Sequence, residues 1–258
     1  MDLCTVTNYK YLKNAIVLAD SYHRSNTGNI FIYYFDIPDS IINIYKKTYN
    51  YIKYIYVPKE CEYAHDPKVF FYKAYSLNHC INNLSHSFWY SDATNIFTRK
   101  IENPYSYFHN NMLVLPYTHP ILVNKYWTSK KCLSKLNARL SSYDSPQYWA
   151  GFQGYKVSLE TKKLLSTLYE NMFDPDIALP SVDVKYPDGE KSQCIEHRQD
   201  QSVLSILIDL FSLHQTYNHT KQLLFGDSQT FHMFDKSSYN NYYLEPYLLS
   251  RYTKYHSL

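Results

Sequence analysis

The chain has 258 residues, 45% of them hydrophobic, and a net charge of +3. That is enough for one large domain or two small ones with an ample core. The small, scattered positive charge argues against a nucleic-acid partner. Cysteines at 4, 61, 80, 132 and 194 are odd in number and never spaced as CxxC, which argues for a reducing compartment and against a zinc site. No signal peptide precedes "MDLCTVTNYK" and no apolar run approaches membrane-spanning length. The expectation is a soluble, cytoplasmic protein. Thirty tyrosines beside five glycines point to an A/T-rich coding sequence at least as strongly as to any function.

The first half alternates strands and helices. "LCTVT" (3–7) reads as a strand, and "YKYLKNAIVLADSYHR" (9–24) as an amphipathic helix with Leu12, Ile16 and Ala19 on one face. "NIFIYYFD" (29–36) is a buried strand, 38–50 a helix with Pro38 in its opening turn, and "YIKYIYV" (51–57) an alternating strand. A third helix over 66–83 precedes the aromatic strand Ser87–Ser91. This alternation, with short connections, predicts a parallel sheet with right-handed crossovers. Beyond it, 111–116 and 148–156 read as strands, 158–173 as a helix with Ser158 and Thr161 at its cap, and 200–211 as a strongly apolar helix. The segment 174–194, with three prolines and many charges, is long enough to be a functional or mobile loop. No linker divides the chain. The expectation is one domain over 1–215, with a tyrosine-rich extension over 216–258 packed on it.

Five stretches hold residues suited to chemistry. Asp92 ends the strand in "WYSDATNIF", two residues before Thr94. A carboxylate there can hold a divalent cation through hard oxygens, or simply make an Asx-type turn. "EHRQDQS" packs Glu196, His197, Arg198 and Asp200 into five positions, a density that suits acid–base work, although Asp200 is also a good helix N-cap. Lys73, in "FYKAYSL", can meet a phosphate as a point charge, but such a lysine is more often a snorkelling surface residue. In "YWAGFQGYK", Gly151 permits close backbone approach and Trp149 offers an apolar wall, or the glycines mark a bulge. Thr7, Asn8 and Tyr9 form a strand-to-helix turn able to hold a base or ribose.

Taken in order, "TVTNY", "YKAY", "WYSDATNIF", "WAGFQGYK" and "HRQDQSVLSIL" resemble the GT-A nucleotide-sugar glycosyltransferases, including small bacterial and large-DNA-virus members. The resemblance covers residues 2–212. It implies an α/β fold with a mostly parallel central sheet flanked by helices. It also implies transfer of a hexosyl or pentosyl group from a nucleoside diphosphate to a hydroxyl of a glycan or glycoconjugate. By resemblance, Thr7, Asn8, Tyr9 and Asp36 would hold the nucleotide. Asp92 would approach its ribose, its diphosphate or a bound Mn²⁺ or Mg²⁺, and Lys73 would face the donor. Gly151 would lie beneath the sugar or acceptor. Asp200 would sit beside the anomeric centre, as general base in an inverting reaction or as a group that orients the donor or stabilises charge at that carbon in a retaining one, with His197 and Arg198 next to it. Where the family motif has a second aspartate this chain has Thr94, a poorer metal ligand. The alternative expectations are an inactive sugar-nucleotide or glycan-binding pseudoenzyme and, from the tyrosine-rich tail, a structural or interaction protein.

Overall fold

The computed structural model describes residues 1–84, 86–117, 122–179, 194, 196–215 and 231–233. Its first half runs β1 (Asp2–Thr7), α1 (Leu12–Ser25), β2 (Ile30–Tyr34), α2 (Asp39–Thr48), β3 (Ile52–Tyr56), α3 (Phe71–Asn83) and β4 (Phe88–Ser91). There follow β5 (Asn95–Phe97), β6 (Met112–Pro116), the short helices α4 (Asn124–Trp127), α5 (Lys130–Lys135) and α6 (Leu140–Asp144), then β7 (Tyr148–Tyr155) and α7 (Leu159–Asn171). The last are α8 (Pro175–Ala178), α9 (Gln199–Leu210) and β8 (Phe231–Met233).

Six strands form one sheet in the order β3-β2-β1-β4-β7-β6. β1 pairs in parallel with β2 on one side and β4 on the other, and β3 extends the parallel set. β7 runs antiparallel to both β4 and β6. The chain is therefore an α/β fold with a mostly parallel sheet flanked by helices. Strand alternation divides the core into two layers. Cys4, Val6, Phe31, Tyr33, Phe88 and Tyr90 face the layer that includes α3, α7 and α9. Leu3, Ile30, Ile32 and Trp89 face the layer that includes α1. With both faces covered, the central strands read as apolar runs rather than as alternating ones.

Several boundaries shift for local reasons. The helix expected from residue 9 opens as a 3₁₀ turn, Tyr9–Tyr11, because the Asn8 side chain caps it by accepting the Tyr11 N–H. The helix expected from 66 begins at Phe71. Asp66 instead accepts the Lys68 N–H through its side chain and the Val69 N–H through its carbonyl, and Phe70 is left-handed at φ 62°. Pro67 disfavours helix at the residue before it. α9 starts at Gln199 with Arg198 at the N-cap, so Asp200 lies inside the first turn and is not the cap. The Ser202 hydroxyl does part of that work, accepting the Arg198 N–H at 3.0 Å. The capping pair Ser158 and Thr161 forms as expected on α7.

Of the loop expected over 174–194, Pro175–Ala178 is a helical turn capped by Asp174, and residues 180–193 lie outside the described residues. So does most of the extension expected over 216–258, apart from β8, which pairs antiparallel with β5. Among the described residues, no helix is long and apolar enough to cross a membrane. The feature that positions a site is the reversal of strand order: β2 and β3 build outward from one side of β1, and β4 from the other. Open α/β sheets form a crevice beyond the strand ends at such a point.

Candidate active site

The crevice between the carboxyl ends of β1 and β4 opens into a cavity of about 290 Å³. Thr7 and Asn8 line it from β1, Asp92 and Thr94 from β4, and Tyr11, Phe35, Phe70, Tyr72 and Tyr90 supply aromatic walls. At the β4 rim the backbone does make a turn, with the Asn95 N–H bonded to the Asp92 carbonyl at 3.1 Å. The Asp92 N–H continues the ladder to the Gly151 carbonyl at 2.9 Å. Buried Asn95 pins the turn by donating to the same carbonyl and to the Ser91 hydroxyl. The Asp92 carboxylate is not used in that turn. Its Oδ1 accepts from the Tyr90 hydroxyl at 3.0 Å and from Lys73 Nζ at 3.2 Å.

Lys73 is not a surface lysine. Its side chain is 3% exposed, and Nζ lies 3.2 Å from Asp92 Oδ1 and 3.2 Å from Asp200 Oδ2. The ring of Tyr90 lies 4.9 Å from the ammonium. Burial alone would lower the lysine pKa, but Asp200 and Asp92 outweigh it and hold the group charged, above the ordinary lysine range. The Asp200 side chain is 8% exposed. Burial raises its pKa and the Asp92 charge adds to the rise, while Lys73 opposes both. The result is a carboxylate–ammonium–carboxylate triad of formal charge −1. Asp92, at 44% exposed, is its solvent-facing end.

The rest of "EHRQDQS" does not converge on this triad. Glu196 is exposed. His197 is buried with both ring nitrogens bonded to backbone: Nδ1 accepts from the Ser129 N–H at 3.3 Å, and Nε2 faces the Ile177 carbonyl at 2.7 Å. Those partners fix one neutral tautomer and make the ring a strut between α5 and α8. Arg198 stacks on Trp127, with its guanidinium carbon 3.9 Å from the ring centroid. It also bonds the Tyr117 hydroxyl, whose pKa burial raises while Arg198 and Lys73 lower it. Arg198 thus holds a positive charge near the triad without joining it.

Three other expected residues lie elsewhere. Tyr9 is 61% exposed. Asp36 adopts φ 50°, has a side chain 62% exposed, and lies 3.4 Å from His65. Neither is among the described residues lining the cavity. Gly151 contributes its carbonyl to the Asp92 turn, and its missing side chain makes room for Trp149: a Cβ there would meet the indole at 2.7 Å. Sequence reasoning missed Lys10, Tyr11, Tyr72 and Tyr90, all of which line the cavity. Tyr90 was within reach of it, since residues two apart on a strand share a face.

A divalent cation takes about six oxygen ligands. Here the motif offers one carboxylate, already bonded through Oδ1 to an ammonium, and the hydroxyl of Thr94. Among the described residues, no group of three or more His, Cys, Asp or Glu side chains is placed to hold a metal. The described residues alone do not supply the ligand set of a resident Mn²⁺ or Mg²⁺.

No known family pattern matches the sequence. No curated protein matches it. Among solved structures, the glycosyltransferase GlyE of Streptococcus pneumoniae TIGR4 overlays on 100% of the chain at 12% identity with a TM-score of 0.51. The apo form of GlyE gives 0.49 at 12% identity over 100% of the chain, and the bifunctional glycosyltransferase WbbM 0.48 at 9% identity over 100%. The chain spans 60% of each GlyE structure and 44% of WbbM. At 12% identity the GlyE likeness shows the fold alone: the chain shares the fold of that glycosyltransferase.

Proposed function

We propose that the chain is a glycosyltransferase of the GT-A type, moving a hexosyl or pentosyl group from a nucleoside diphosphate to a hydroxyl of a glycan or glycoconjugate. One observation carries the reading. In a glycosyltransferase fold, the cavity at the strand-order reversal ends on Asp92, and a buried lysine ties Asp92 to Asp200. Thr7, Asn8 and the aromatic walls receive the nucleoside, with its ribose towards Asp92 and the diphosphate towards Lys10.

In the transfer step, the acceptor oxygen bonds to the anomeric carbon as the bond from that carbon to the diphosphate oxygen breaks. The acceptor proton passes to Asp200, whose burial raises its pKa and so strengthens it as a base. Lys73 stays charged and keeps Asp200 oriented. The departing diphosphate carries its electron pair away, and Lys10, which lines the cavity, meets its charge, with Arg198 a second candidate cation near the triad. The unbridged cysteines support a reducing, cytoplasmic setting.

A second reading, a sugar-nucleotide-binding protein without turnover, is favoured by the low exposure of the Asp200 side chain and its ion pair with Lys73. Thermal melts against a panel of nucleotide-sugars identify the donor, because a ligand of the native state raises its apparent stability. Release of nucleoside diphosphate from that donor then decides. Turnover supports transfer, and binding without release supports the second reading.

A further inference from the structure

Tyr90 stands two residues before Asp92 on β4, and its side chain is 1% exposed. Its hydroxyl and the Lys73 ammonium both reach the same oxygen, Asp92 Oδ1, at 3.0 and 3.2 Å. With Oδ1 held twice, Oδ2 is the oxygen left for a ligand. We propose that Tyr90 and Lys73 clamp Asp92 so that it offers this single oxygen to a ribose hydroxyl of the nucleotide, and that nucleotide binding here needs no divalent cation. The inference rests on the glycosyltransferase reading above.

Three observations support it. The Tyr90 ring lies under the same ammonium that bonds Asp92, so the two clamp residues also hold each other. Burial and the Asp92 charge push the Tyr90 phenol well above its usual pKa, so it remains a donor. A dication approaching Asp92 would meet an ammonium 3.2 Å from the same carboxylate, and the neighbouring Thr94 at the cavity offers only a neutral hydroxyl. A hydroxyl carries no charge and asks for one acceptor, which is what the clamp leaves open. Lys10, the basic side chain among the described residues lining the cavity, supplies cationic charge for a diphosphate without a metal.

The test is calorimetry on the full chain with UDP, GDP, CDP and ADP, each in EDTA and in MnCl₂. The expected result is at least one diphosphate that binds with the same Kd in both. Tyr90→Phe, checked by circular dichroism for an unchanged fold, should weaken that diphosphate about tenfold, the range of one hydrogen bond to a charged group. The 2′,3′-dideoxy form of the same diphosphate should bind wild type more weakly, and Tyr90→Phe should add little to that loss. Purely structural effects would give additive losses, and additivity would overturn the clamp. Binding that appears only with MnCl₂ would overturn the proposal while leaving the glycosyltransferase reading intact. So would binding of MnCl₂ alone that Asp92→Asn removes. Binding of no diphosphate in either condition would overturn the donor reading and the clamp with it.

Discussion

Two short charged stretches behave in opposite ways. Ser91–Asn95 is a strand end, and all its polar members serve one place: Asp92 and Thr94 face the cavity while Asn95 and Ser91 brace the turn beneath them. Residues 196–200 hold more ionisable groups, yet they scatter. Glu196 goes to solvent, His197 to backbone, Arg198 to Trp127, and only Asp200 to the triad. Charge density along a chain is therefore a poor guide to charge convergence in space. Residues 196–198 precede α9 in irregular backbone and Gln199 is left-handed at φ 33°, so successive side chains leave in different directions, whereas a turn pinned to a neighbouring strand keeps its residues on one rim.

The largest expected effect asks whether Asp200 alone carries the second stretch into chemistry. Because Asp200 is not the helix cap, Asp200→Asn keeps shape and capping while removing the proton acceptor and one of the two charges that face Lys73. Turnover should fall by about two to four orders of magnitude, while donor binding, measured by calorimetry, persists. Wild-type turnover in this variant would remove the second stretch from the site altogether.

Lys73→Met breaks the link between the two stretches. It leaves two carboxylates close together, one of them buried, and should cost about 3–5 kcal/mol at neutral pH in a urea melt. The sign with pH follows from Asp200. Its folded pKa is already raised by burial and by Asp92, and loss of the lysine removes the opposing influence. A carboxyl raised on folding leaves stability intact below its unfolded value, roughly pH 4, and erodes it as pH climbs through the folded value. The defect in Lys73→Met should therefore be small in acid and grow towards neutrality. A defect independent of pH would mean that lost packing, not uncompensated charge, is responsible.

His197→Phe sharpens the contrast from the other side. The Ser129 N–H and the Ile177 carbonyl lose their buried partner, for about 1–3 kcal/mol of stability. Turnover per folded molecule should be unchanged, as single-turnover rates normalised to the folded fraction would show. A turnover loss as deep as that of Asp200→Asn would put His197 in the chemistry.

How much of this was legible in the sequence follows from the same physics. β1 to β4 and the long helices were readable because each spans enough residues to display a period. α4, α5 and α6, at four to six residues, do not. Asp92 was readable because a carboxylate at the end of an apolar strand is locally odd. Lys73 was ambiguous because its burial depends on Asp200, on a helix far along the chain, and no local pattern reports that pairing. The same holds for His197, whose partners lie on two other segments. Asp36 entered as a nucleotide residue through the resemblance alone, and its left-handed backbone and His65 contact are settled by the fold.

The smallest effect concerns what braces the first stretch. Gly151 offers either room for a ligand or a bulge on the sequence alone; the structure fills the room with the protein's own Trp149 and puts the glycine where the β6–β7 register slips. An added Cβ would lie 2.7 Å from the indole, so Gly151→Ala must move the ring. Trp149 is only half-buried and has somewhere to go, so the cost should be about 1 kcal/mol, at the low end for overpacking. Gly154→Ala is the internal comparison. Its Cβ would meet the Trp89 ring at 2.3 Å, and Trp89 is 1% exposed and hemmed in by Phe108 and Phe152. That variant should lose more, about 2–3 kcal/mol. Because the Gly151 carbonyl still receives the Asp92 and Asn95 donors, Gly151→Ala should leave nucleotide affinity within about twofold, a few tenths of a kcal/mol. Urea melts and calorimetry on the pair measure both. A Gly151→Ala protein as stable as wild type but unable to bind nucleotide would show that the glycine faces the ligand after all.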